Sequence, residues 1–147
     1  MSLTTFKAKS ELVKGLQVDS TVRNFHIRMD EPKSLGGSDS GMNPVEALLA
    51  ALGSCLVIVA GAFAKEKNID LRNFWIELEG DLDPDGFLHG KPGVRNGFSE
   101  IRFTPHIETS SSKEEVEDFI SFIKSRCPVS DVIINGTKVV SVDPVIE

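Results

Sequence analysis

Between Thr5 and Met29 apolar and polar residues alternate. Phe6, Ala8 and Leu12 fall between Lys7, Lys9 and Glu11, and Lys14-Gly15 offers a turn. Val18 to Val22 is short and β-branched, and Phe25, Ile27 and Met29 stand opposite His26 and Arg28. A period of two is that of a half-buried strand, so three antiparallel strands in a meander are predicted. Asp30 to Met42, DEPKSLGGSDSGM, is rich in Gly, Ser and Pro and reads as a connector or lid. No Gly-Lys-Ser/Thr follows it, which sets a phosphate loop aside.

The next segment changes period. Asn43 can cap a helix, Pro44 suits its first position, and Glu46 stands where a capping box needs an acid. From Ala47 to Ala64, ALLAALGSCLVIVAGAFA, there is no charge; Lys65-Glu66-Lys67 close the run and Asn68 can end the helix. Such a run sits at the lower edge for a membrane span. It is the one such segment, however, and Gly53, Ser54 and Gly61 dilute it. A helix apolar on every side must then be covered by protein all round. Short strands from one chain cannot encircle it, so burial at the centre of a homodimer is predicted, and no membrane.

Beyond it, Phe74, Ile76 and Leu78 alternate with Trp75, Glu77 and Glu79, a strand with one core face. Asp83-Pro84-Asp85-Gly86 reads as a turn and Phe87 to Ser99 as an extended hairpin connection. Ile101, Phe103 and Ile107 mark the returning strand. Ser112 and Glu115 open a second helix whose stripe is Val116, Phe119, Ile120 and Ile123; Cys127 continues that stripe, but Pro128 disfavours helix through it. Val129 to Ile134 reads as a short helical turn, Asn135-Gly136 as a tight turn, and Val139 to Val142 as a last strand. The order is β-β-β-α-β-β-α-β, which places residues 1–147 in one domain of α+β class.

Composition narrows the partners. With 26% charged residues and a net charge of -6, the chain repels phosphate backbones and anionic lipid, and nucleic acid is not expected. Two cysteines are too few for a stapled secreted scaffold, and the N-terminus lacks a basic patch before an apolar run, so a reducing cytoplasm is the expected address. His26, His89 and His106 stand alone, so neither a metal nor another cofactor is expected. No Gly-x-Ser-x-Gly elbow supports acyl transfer.

The candidate chemistry is the cysteine pair. Cys55 lies mid-way along the apolar helix and Cys127 on the core stripe of the next, beside Arg126. One reading is two inert buried thiols; the other is a pair that meets in the fold. A reactive thiol needs a positive field, because apolar burial alone suppresses the thiolate.

MNPVEALLAALGSC, then CPVSDVIING at 127–136, with DEPKSLGGSDSG before the helix, resembles the OsmC/Ohr family of organic-hydroperoxide and osmotic-stress proteins. The resemblance implies an OsmC-like fold, an intertwined α+β homodimer with the long helices packed centrally. It also implies a thiol peroxidase that reduces organic hydroperoxides: Cys55 matches the peroxidatic cysteine and Cys127 the resolving one, with an intramolecular disulfide reduced by an external thiol or dihydrolipoyl group. Leu48, Ala51, Leu52, Ile58 and Val59 around Cys55 suit an alkyl hydroperoxide. Two positions depart from the family pattern. Val45 stands where hydroperoxide-resistance members place a glutamate; Glu46, one residue later and on the helix face opposite Cys55, reads as a capping residue. For the arginine that holds the thiolate, Arg23 and Arg28 are candidates. The alternatives are a module that binds a small hydrophobic ligand at the dimer interface without turnover, and a redox-sensing dimer.

Overall fold

The computed structural model describes residues 2–146, which form two compact units, 2–50 and 51–146. The first contains β1 (Lys9–Lys14), β2 (Gln17–Val22) and β3 (Phe25–Met29), paired antiparallel in the order β1-β2-β3. Lys14 pairs with Gln17 across a turn where Gly15 takes φ 59°, and Val22 pairs with Phe25 across a turn where Arg23 takes φ 56°. The predicted meander is present.

Asp30, the one buried residue among 2–50, organises the following loop. Its Oδ1 accepts from the Glu31 amide at 2.8 Å. Its Oδ2 accepts from the Ser38 amide and hydroxyl at 3.0 and 2.6 Å, and from the Ser40 amide and hydroxyl at 3.1 and 2.9 Å. The Ser38 hydroxyl, with the other donors, holds this carboxyl well below the usual carboxylate range. The loop folds back so tightly that a Cβ on Gly37 would lie 1.8 Å from the Glu31 carbonyl oxygen. The connector is a self-bonded loop, and its glycines serve close backbone approach.

Helix α1 (Pro44–Phe63) begins with the predicted capping box: the Asn43 side chain accepts from the Glu46 amide at 2.9 Å, and the Glu46 carboxylate from the Asn43 amide at 2.8 Å. The helix ends at Phe63, earlier than the sequence placed it, and Asn68, at φ 56°, lies at the end of the turn that follows. In the second unit β4 (Asn73–Asp81) and β5 (Glu100–Glu108) form an antiparallel pair, followed by α3 (Lys113–Arg126) and α4 (Pro128–Asn135). Two apolar clusters make its core. One gathers Val59, Ala60, Ala64, Ile69, Phe119 and Ile123. The other gathers Leu52, Leu56 and Cys127, with Ile76, Leu78, Ile101 and Phe103 packed on it. Gly53 lets α1 lie close on β4, since a Cβ there would meet Leu78 Cδ1 at 2.7 Å.

Two expectations are corrected. Residues 84–89 form a short helix, α2 (Pro84–His89), because the Asp83 side chain accepts from the Asp85 amide and Pro84 fits the first position; the extended connection is confined to the residues after it. Val139 to Val142 forms no strand. A strand needs a hydrogen-bonded neighbour, and this segment lies open, Val139 at 92% exposure. The α+β class and the order of the other elements stand as predicted.

Candidate functional site

Cys55 is the twelfth residue of α1, on the flank that touches both apolar clusters. Cys127 sits at the break between α3 and α4, with φ -79° and ψ 111°, and serves as end-cap of the first and N-cap of the second. Pro128 causes this break: its ring disfavours a helical conformation at Cys127 and then opens α4 with a pre-set φ. The stripe of α3 thus delivers Cys127 inward while the backbone turns away. Its sulfur lies 2.7 Å from that of Cys55, both thiols being free. That is within about an ångström of a covalent S–S bond, so closing one requires little movement.

The two thiols differ in surroundings. Cys127 is 1% exposed and Cys55 half-buried. Burial pushes the Cys127 thiol up, the neighbouring Cys55 thiol adds to this, and the Ser130 and Val129 amides act in the opposite direction. The Ser130 N–H donates to Cys127 Sγ at 3.3 Å. That amide escaped the sequence reading, although Cys-Pro before a short helix is the pattern that signals it.

Arg126 makes no hydrogen bond to either sulfur. Its guanidinium lies over the Phe122 ring, 5.5 Å from the centroid, because a helical side chain is directed back along its own helix toward the preceding turn. Among the described residues 51–146, no Lys or Arg hydrogen-bonds to either sulfur. Of the two candidate arginines, Arg28 forms a two-pronged ion pair with Asp19 at 2.7 and 2.8 Å, and Arg23 lies over the Phe25 ring. Glu46 is occupied in the capping box. Of the apolar residues around Cys55, Leu52 and Val59 belong to the core, whereas Leu48 and Ile58 are exposed. Among the described residues no cluster of three or more His, Cys, Asp or Glu could hold a metal.

Comparison with known proteins agrees with this architecture. The sequence pattern of the OsmC-like protein family matches residues 37–142. A hydroperoxide reductase of Mycoplasma genitalium is 30% identical over 137 residues, covering 88% of this chain and 89% of that protein. The crystal structure of an OsmC-like protein from Mycoplasma pneumoniae has the same fold, with a TM-score of 0.79 at 22% identity over 92% of both chains. That of an organic hydroperoxide resistance protein OsmC from Legionella pneumophila superposes with a TM-score of 0.66 at 21% identity, over 92% of this chain and 93% of that one. The match spans the later part of the loop between β3 and α1, both helices with capping boxes and both cysteines, and the chain belongs to the OsmC-like protein family.

Proposed function

We propose that the chain is a thiol-dependent reductase of organic hydroperoxides, with Cys55 as the peroxidatic and Cys127 as the resolving residue. The observation that carries this reading is the 2.7 Å sulfur contact at an apolar seam, made by residues far apart in sequence. The name of the M. genitalium relative points the same way. The Cys55 thiolate attacks the outer peroxide oxygen, the O–O bond breaks, and the alcohol leaves with a proton, giving a sulfenic acid. The Cys127 sulfur then displaces that hydroxyl as water to form a disulfide, which shields Cys55 from further oxidation. An external dithiol returns both to thiols and is itself oxidised to a disulfide.

In this reading residues 1–147 act as one OsmC-like domain completed by a second copy, in the cytoplasm. Only 28% of the most apolar window of α1 is buried by its own chain. Leu48, Ala51, Ile58 and Gly61 form an uncharged stripe on the face turned from the core. Residues 2–50 bury no apolar side chain. A second copy covering both surfaces accounts for these exposures.

The test is steady-state consumption of tert-butyl hydroperoxide with dihydrolipoamide or dithiothreitol. Cys55→Ser is expected to abolish turnover, and Cys127→Ser to allow one oxidation and then stop. Unchanged turnover in Cys55→Ser refutes the reading, and oxidation of the wild type without turnover leaves a redox-sensing dimer.

A further inference from the structure

The two sulfurs present unequal faces to a solute. Cys55 is half-buried, whereas Cys127 is 1% exposed and lies in the cluster with Leu52 and Leu56. In thiol–disulfide exchange an incoming thiolate must reach one sulfur, and the other departs with the bonding electron pair. A sulfur that solvent barely touches is a poor target and can still be the departing one.

The backbone is arranged for departure at the same atom. Pro128 opens α4, and the first-turn amides of a helix have no partner within it. One of them, Ser130 N–H, is aimed at Cys127 Sγ at 3.3 Å. Such a bond strengthens when the acceptor carries charge. Cys55 has no equivalent. Twelve residues into α1, the amides around it are used by the helix itself.

Resting on the reductase reading, we infer that both half-reactions enter through Cys55: the sulfur that meets the hydroperoxide is also the one the reducing thiol attacks. The reductant's thiolate forms a bond to Cys55 Sγ as the Cys55–Cys127 bond breaks. The electron pair passes to Cys127 Sγ, which departs as a thiolate toward the Ser130 N–H and takes up a proton. A second thiol of the reductant attacks the reductant sulfur of this mixed disulfide and frees Cys55. The two electrons come from the dithiol, which leaves as its disulfide.

Diamide closes the disulfide without peroxide, so the experiment does not depend on peroxidase activity. Wild-type protein oxidised in this way is mixed briefly with β-mercaptoethanol, quenched with excess N-ethylmaleimide and mapped by peptide mass spectrometry. The expected product carries mercaptoethanol on Cys55 and maleimide on Cys127, in about tenfold or greater excess over the reverse. Equal labelling, or an excess of the reverse product, overturns the inference. The separate Cys127→Ser and Cys55→Ser proteins, shown folded by circular dichroism, provide a second measurement. An aromatic disulfide reagent is expected to modify the first about tenfold faster than the second, and equal rates overturn the inference. Absence of peroxide turnover alongside the expected labelling sinks only the reductase reading. Failure of diamide to join the thiols sinks both.

Discussion

Cys55 Sγ lies 2.7 Å from Cys127 Sγ, although 72 positions separate them in the chain. Helix α1 holds one sulfur and the α3–α4 break the other, and both belong to the cluster built on Leu52 and Leu56. A covalent bond between them would close a loop of that length in the unfolded chain. The loop entropy removed corresponds to an upper stabilisation of about 4 kcal/mol. The diamide-oxidised protein is therefore expected to melt at a higher temperature than the reduced one, with no such difference in Cys127→Ser. Differential scanning calorimetry with and without reductant checks this.

Ile58, 69% exposed on the uncharged stripe of α1, separates the monomer from the proposed dimer. In a monomer Ile58→Glu replaces one solvent-facing side chain and changes stability by about 0.5 kcal/mol or less. Across an apolar interface it buries an unpaired charge and drives the copies apart. Light scattering on a sizing column is expected to show a dimer for the wild type and a monomer for Ile58→Glu. A monomeric wild type removes the dimer.

Glu46 tests the assignment of the acid near the start of α1. It and Asn43 satisfy each other's amides, so Glu46→Ala is expected to cost about 1 kcal/mol in urea denaturation. The turnover number is expected to stay within about twofold. A large fall in turnover with unchanged stability would give Glu46 a part in the chemistry.

Asp30 is expected to contribute to the acid limb of stability. Hydrogen bonds from Ser38, Ser40 and Glu31 lower its pKa on folding, so the unfolded chain binds its proton more readily. Its contribution is complete above the unfolded carboxylate range, near pH 4, and is withdrawn as the pH falls toward the depressed folded value. Asp70, held by Ser110 and Arg72, shifts the same way. Asp30→Asn is expected to be less stable at neutral pH and to lose less on acidification, as denaturation midpoints across the acid range will show.

Gly37 provides a control on the same loop. Alanine there drives a Cβ into the Glu31 carbonyl and is expected to cost about 1–3 kcal/mol. Gly61→Ala meets nothing within 4 Å and is expected to stabilise the isolated chain by up to about 1 kcal/mol. Thermal melts of the two variants decide.

Much of the fold was legible because its signals are local. The alternation around Phe25, the Asn43–Glu46 box, the Ser112–Glu115 box and the Pro128 break each depend on residues within one turn or one strand pair. The sequence reading missed α2 because Asp83-Pro84-Asp85-Gly86 is equally a turn motif and a helix start; the helix is ended by the Gly90 amide donating to the Gly86 carbonyl at 2.9 Å. It placed a strand at Val139 because β-branched composition states a preference and cannot supply a neighbour. Adjacency to Cys127 likewise says nothing of where the long Arg126 side chain lies, and it lies over Phe122.

By itself the sequence determined where α1 and α3 start, that Pro128 breaks the helix at Cys127, which faces are apolar, and that the two cysteines were the candidate chemistry, since these follow from caps, periodicity and composition. Only the tertiary structure decided that the two sulfurs meet, that one is nearly sealed while the other is half-open, and that a backbone amide points at the sealed one. Those properties arise from contacts between distant segments, where the packing of α1 against β4, β5 and the α3–α4 corner selects a single arrangement that no local pattern encodes.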